Sequence, residues 1–208
     1  SMSKDYKIYF GNRKIVLTNN LTRNFLDHSC YYVGFDSKTN MANLLQFFQN
    51  LKSIDSLYII GNDVEAVFKL FAEQFEVVNA AGGLVYNANN SCLLIKRNEL
   101  WDLPKGKVEK GEKVEQAAQR EVMEECGLKT VTLDSHLVDT FHTYELNGKQ
   151  ILKRTSWFRM FSENNENLKP QVEENITEAC WVSKNEVSKY VSNTYSSLVE
   201  VFQSSGLI

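Results

Sequence analysis

Residues 106–128, GKVEKGEKVEQAAQREVMEECGL, constrain this chain more than any other stretch. From about Lys113 to Cys126 there is no proline or glycine, and apolar residues recur at helical spacing, which predicts an α-helix. Gly127 stands where a helix-ending glycine belongs. On a wheel at about 100° per residue, Glu121, Glu124 and Glu125 share an arc of roughly 100° with Val114, Ala117 and Ala118. Gln116, Gln119 and Met123 take the other side. A solvated acidic face would point away from the apolar stripe, but these three carboxylates continue it. Clustered carboxylates repel one another, more so when desolvated, and a hard divalent cation removes that conflict. A ligand set made only of oxygen suits Mg2+ or Mn2+ over zinc. Arg120, next to Glu121 and four residues before Glu124, is placed to hold a carboxylate in position.

Two further stretches frame this helix. Residues 1–78 read as a small α/β unit. Tyr6–Phe10 and Lys14–Leu17 flank Gly11-Asn12 as a hairpin, and Cys30–Phe35 and Leu57–Ile60 read as further strands. Met41, Leu44, Leu45, Phe48 and Leu51 form one helical stripe. Val64, Val67, Phe68, Phe71 and Phe75 form a second, opened by Asn62 and Glu65 as a capping box. Both stripes read as core, and no chemistry-bearing motif lies among them. From residue 79 the pattern changes. NAAGGLVYN and CLLIK are two strands joined by a turn, followed by the loop WDLPKG and the Glu-rich helix. Strands are expected at Val131–Thr143, Ile151–Phe161 and Glu178–Val182, then a helical stretch capped by Ser183 and Glu186. The expected division is 1–78 and 79–208.

Composition narrows the function classes. A net charge of −3 argues against a general nucleic-acid binder, which carries a basic face. No run reaches the roughly 18 apolar residues needed to span a bilayer, and SMSKDYKIYF lacks the apolar core of a secretory signal. Cys30, Cys92, Cys126 and Cys180 lie far apart with no CxxC pair, as expected of reduced thiols in a cytoplasmic protein. No Ser/His or Cys/His pair near the helix suggests a covalent route.

The segment from Gly106 to Leu128 resembles the Nudix box, GX5EX7REUXEEXGU with U aliphatic. It does so at every defined position: Gly106, Glu112, Arg120, Glu121, Val122, Glu124, Glu125, Gly127 and Leu128. The resemblance spans about Asn79 to Leu207. It implies a Nudix α/β/α sandwich with a mixed sheet, preceded here by the small N-terminal α/β domain. It also implies a Mg2+-dependent (or Mn2+-dependent) pyrophosphohydrolase acting on a small nucleotide or polyphosphate. Glu121, Glu124 and Glu125 would then bind metal with the backbone carbonyl of Lys105. Glu121 or Glu125 would deprotonate water, Arg120 would orient Glu121, and Glu112 would make a structural contact. Many members add a late-loop carboxylate; in VEENITEACW that is Glu173 or Glu174, with Glu178 in reserve.

The loop WDLPKGKVEKGE is similar to that of diadenosine tetraphosphate hydrolases, and KRTSWFRMF to a following strand of theirs. By that analogy Lys105 and Lys153 would contact phosphates, and Trp101, Tyr144 or Trp157 would stack on a base. ADP-ribose and nucleotide-sugar pyrophosphatases, diphosphoinositol polyphosphate hydrolases and nucleotide-sanitising enzymes are the other expectations within the family. A non-catalytic Nudix-like ligand sensor is the alternative outside the enzyme class, although sensors usually lose part of the Glu cluster. For residues 1–78 the open roles are self-association, as in a homodimer, or restricting access to the site.

Overall fold

The computed structural model describes residues 4–20, 29–163, 167–192 and 194–208. The chain forms two compact units. The first contains Ser1–Val78 together with Phe141–Lys153; the second contains Asn79–Thr140 and Arg154–Ile208.

In the first unit, β1 (Tyr6–Phe10) and β2 (Arg13–Thr18) form the hairpin, turning at Gly11 with φ +65°. Strand β4 (Ser56–Ile60) lies parallel between β2 and β3 (Cys30–Gly34). Helices α1 (Met41–Asn50) and α2 (Val64–Ala72) bury most of the expected stripes, with Phe48 and Phe71 wholly enclosed, but Leu51 lies past the end of α1 and is exposed. The cap of α2 is Asp63, whose side chain accepts from the Ala66 amide; it is not Asn62. Glu65 instead accepts from the Tyr6 hydroxyl at 2.6 Å, so the expected capping box does not form.

In the second unit, β5 (Glu76–Tyr86), β6 (Ser91–Arg97) and β11 (Ile176–Ser183) run beside β10 (Lys149–Phe161) and β9 (Thr132–Leu146), in the order β11-β6-β5-β10-β9. Side chains alternate across these strands. Ala81, Val85, Leu93 and Ile95 pack on one face with Ala118 and Val122 of α3 (Val114–Cys126). Leu84, Tyr86, Cys92 and Leu94 pack on the other with Leu198, Val201 and Phe202 of α5 (Ser196–Ser204), which follows the short α4 (Val187–Val191). The result is the α/β/α layering expected. Gly127, at φ +71°, closes α3 as a left-handed cap: its amide and that of Leu128 both donate to the Met123 carbonyl.

The chain passes between the units in ways the sequence did not announce. The expected division after residue 78 falls inside β5, and the end of β9 from Phe141 and the start of β10 up to Lys153 belong to the first unit. There Ile8 and Tyr9 of β1 pair with Phe141 and His142, and Phe141 and Leu152 join the first unit's core. The four cysteines are free thiols. No helix among the described residues is long and apolar enough to cross a membrane.

Candidate active site

The loop expected around WDLPKG is two short strands, and each positions a charged side chain. Asn98 and Glu99 both have positive φ, a two-residue turn of the I′ kind that folds β7 (Leu100–Asp102) back onto β6. Arg97 pairs with Leu100 and Ile95 with Asp102. By strand alternation Arg97 and Asp102 therefore lie on one face, as diagonal neighbours. Ile95 packs with α3, so that face is the α3 side.

Strand β8 (Lys105–Lys107) lies on β5, Gly82 opposite Lys105 and Ala81 opposite Gly106. The glycine is needed: a Cβ on Gly82 would sit 2.4 Å from the Pro104 carbonyl oxygen and 2.7 Å from Trp157. The amides of Gly83 and Val108 bond to the carbonyls of Pro104 and Asn79. Lys105 is therefore a non-hydrogen-bonded position, and its N–H and C=O both point away from β5. The N–H donates to Glu125 Oε1 at 2.9 Å, which sets the Lys105 carbonyl toward the same helix.

The three glutamates of α3 are not equally buried. Glu125 is 2% exposed, the Glu121 side chain 14%, and the Glu124 side chain 48%. The wheel's inward stripe thus ends at Glu125, with Glu121 beside it and Glu124 at the solvent edge. Burial raises the pKa of Glu125, an effect opposed by Arg97, whose Nη2 donates to Oε2 at 2.5 Å. Burial likewise raises that of Glu121, opposed by Arg120. Arg120 donates to Glu121 at 2.8 Å, to Glu124 at 3.2 Å, to both oxygens of Glu112 at 2.7 and 3.0 Å, and to the Lys107 carbonyl. With its Arg120 bonds and the Glu109 amide, Glu112 is held down at about 2. Gly106 lies directly under Glu121, where an added Cβ would come 2.1 Å from the carboxyl carbon.

Among the described residues no three His, Cys, Asp or Glu side chains stand together as a metal cage, and the carboxylates are instead paired with Arg120 and Arg97. The donors themselves fit a hard divalent cation. They are oxygens throughout, two are desolvated, and one arginine serves three carboxylates around Glu121.

The remaining expected residues divide. Glu174, in the 3₁₀ turn Val172–Glu174, offers its carbonyl to Arg97 Nη1 at 2.8 Å and has its carboxylate 3.8 Å from that atom. Glu173 is exposed in the same turn, and Glu178 pairs with Lys96 at 3.6 Å. Lys105 Nζ donates to the fully buried Asp102 carboxylate at 2.5 Å, an internal partner where a phosphate contact was expected. Trp101, one residue from Asp102, projects to the opposite face and meets Tyr190 edge-on at 4.7 Å. Trp157 is 1% exposed, with Nε1 donating to Thr140 Oγ1 at 2.8 Å, so it is a core residue with no open face for a base. Tyr144 and Lys153 fall in the first unit. Sequence reading passed over Arg97 and Asp102. Their one signal was a full charge at the end of each of two apolar strands.

A model of the NUDIX domain matches residues 77–202. The chain belongs to the NUDIX domain family. Its α/β/α layering is shared with a C. elegans Ap4A hydrolase crystallised as a binary complex, at 24% identity and a TM-score of 0.50 over 62% of this chain and 95% of that one. A MutT protein from Methanosarcina mazei Go1 is 22% identical, with a TM-score of 0.48 over 64% of this chain and 94% of its own. Over 46 residues, 21% of this chain, it is 50% identical to a Bacillus subtilis (strain 168) protein provisionally named an 8-oxo-dGTP diphosphatase. The matched part spans 31% of that relative's length. The NUDIX match begins inside β5 and leaves β1–β4 and both helices of the first unit outside it.

Proposed function

We propose that this NUDIX chain hydrolyses a phosphoanhydride bond in a nucleoside diphosphate linked to another group, at the site formed by Glu121, Glu124, Glu125 and the Lys105 carbonyl. The observation that carries it is Glu125: a carboxylate 2% exposed, at the end of an apolar helix stripe, with its proton affinity raised by burial. A stability role alone does not call for a second carboxylate, Glu121, desolvated four residues away. When bound there, a Mg2+ or Mn2+ ion supplies neutralisation of the phosphate charge and acidifies water. The chain's own groups do the rest. Arg120 holds Glu121, and the Lys105 amide and Arg97 hold Glu125. One of these carboxylates takes the proton of the attacking water as the P–O bond to the leaving phosphate breaks. Glu174 is the late-loop acid of this scheme, since Arg97 ties its turn to Glu125.

For the substrate, the loop WDLPKGKVEKGE favours a dinucleoside polyphosphate, and diadenosine tetraphosphate is the compound to test. The 46-residue identity with the relative named for 8-oxo-dGTP favours a nucleoside triphosphate as the second reading. Incubation of the whole chain with each compound and Mg2+ in ¹⁸O water, with products identified by mass, separates them. The expected products are AMP and ATP from the tetraphosphate, one of them carrying a single ¹⁸O. A nucleoside monophosphate and pyrophosphate, formed from triphosphates only, would replace the first substrate by the second. No product from either, or from ADP-ribose, would overturn the hydrolase reading.

A further inference from the structure

We propose that Arg97 and Asp102 are positioning residues for this site: Asp102 fixes the Arg97 guanidinium, and Arg97 fixes both the Glu125 carboxylate and the turn carrying Glu174. The inference rests on the hydrolase reading and adds two residues outside the 106–128 segment.

Each nitrogen of Arg97 is engaged by a different element. Nε meets Asp102 of β7 at 3.3 Å, Nη1 the Glu174 carbonyl at 2.8 Å, and Nη2 Glu125 of α3 at 2.5 Å. A guanidinium is a planar, rigid fork, so three partners in different directions define its position fully. Asp102 is fixed as well. Its side chain is fully buried, Oδ1 accepts from the Leu103 amide at 2.8 Å, and Oδ2 accepts from Lys105 Nζ and Arg97. The two cations around Asp102 and Glu125 thus balance the two acids, and none of the four is buried without a counter-charge.

What this does for Glu125 follows from its oxygens. Oε1 takes the Lys105 amide and Oε2 takes Arg97, so the carboxylate is held in one rotamer. Each oxygen keeps a further lone pair for a cation or a water proton. Without Arg97, a carboxylate 2% exposed keeps a single amide donor and no directly bonded cation, since Lys105 Nζ is bonded to Asp102. It would then be free to turn from the rotamer that Arg97 and the Lys105 amide together hold, and would bind a cation less well. The Glu174 carbonyl would lose its Arg97 donor at the same time, leaving the turn tied to α3 only at its start, where the Gln171 amide donates to the Glu125 carbonyl. A purely structural arginine would stabilise the fold without setting metal affinity.

Mn2+ affinity by calorimetry, kcat, KM and Tm are measured on the whole chain for Arg97→Met, Arg97→Lys, Asp102→Asn and the Arg97→Met/Asp102→Asn pair. For Arg97→Met, Mn2+ affinity and kcat are each expected to fall about 10–100-fold, the range for losing a group that orients a metal ligand. KM is expected to stay within about threefold. Asp102→Asn moves both in the same direction, and the pair is little worse than Arg97→Met alone, because Asp102 acts through Arg97. Arg97→Lys keeps the charge but not the fork, so it recovers part of the loss at a native Tm; it decides the matter if Arg97→Met does not fold. Wild-type Mn2+ affinity and kcat in a folded Arg97→Met, or in Arg97→Lys where that alone folds, overturn the proposal. If the wild type hydrolyses nothing, the functional reading fails, and the Mn2+ affinities still decide whether Arg97 sets Glu125.

Discussion

Gly106→Ala tests the placement of Glu121 with the smallest possible change. The new Cβ would lie 2.1 Å from Glu121 Cδ and 2.2 and 2.4 Å from its oxygens, where ordinary contact starts at 3.4 Å. The carboxylate must therefore retreat by about 1.3 Å, the difference between those distances. It is the end of a flexible side chain, so the fold can give way there. The cost to stability is the strain of an overfilled site and a weakened bond to Arg120, about 1–3 kcal/mol. The cost to catalysis is larger in proportion: a misplacement of about 1 Å in a reacting constellation lowers the rate roughly 100-fold, or about 2.7 kcal/mol of activation free energy. Gly111→Ala is the control. Its φ is +80° with nothing within 4 Å of an added Cβ, so it carries backbone strain of about 1–2 kcal/mol and no contact with the carboxylates. Steady-state kinetics and thermal melts on both variants give the comparison. Full activity in Gly106→Ala, or equal losses of activity in both, would refute the placement of Glu121 over Gly106.

Three other perturbations follow from the same geometry. Trp157→Phe removes a buried bond to Thr140 and is expected to lower Tm by roughly 2–8 °C for about 1–2 kcal/mol while leaving KM alone; a raised KM at unchanged Tm would return Trp157 to the substrate. Glu112, held at about 2 against an ordinary 4.5, contributes stability that is full above 4.5 and lost as pH falls toward 2. In Glu112→Gln the denaturation midpoint is expected to fall less over that interval than in the wild type, and an equal fall would contradict the Arg120 pairing. The fragment 79–208 is expected to associate in sedimentation runs, because it exposes Phe141 and Leu152, which pack with Ile8 and Ile15. Replacing both by polar residues is expected to restore a monomer that still hydrolyses substrate; a monomeric unaltered fragment would contradict this.

The local patterns were legible because they are periodic. The 3.6-residue stripes of α1, α2 and α3 and the continuous apolar runs of β5 and β6 each report burial directly. The Glu-rich helix could be read as a site because its carboxylates break the rule that charge points outward. What could not be read depends on which strands become neighbours. The pairing of β1 with β9, which carries the tips of β9 and β10 into the first unit, joins residues more than 130 positions apart and leaves no local trace. Arg97 and Asp102, and the pairing of Lys105 with Asp102, escaped for the same reason. Their partners are set by a two-residue turn at Asn98-Glu99 and by the close approach that Gly82 permits, and a charged residue at a strand end looks like any solvated one. Trp101 and Trp157 are stacking candidates only through the resemblance to diadenosine tetraphosphate hydrolases, whereas strand alternation turns Trp101 to the face opposite Asp102 and burial encloses Trp157.

The most direct measurement of the central claim is the Mg2+-dependent turnover of Glu125→Gln beside the wild type, with both shown to be folded by circular dichroism. Glutamine keeps the shape and an acceptor oxygen for the Lys105 amide but removes the charge that a cation and a water proton require. The account predicts an unchanged fold and a loss of at least about 100-fold in kcat. Near-wild-type turnover with Mg2+ dependence intact would contradict it.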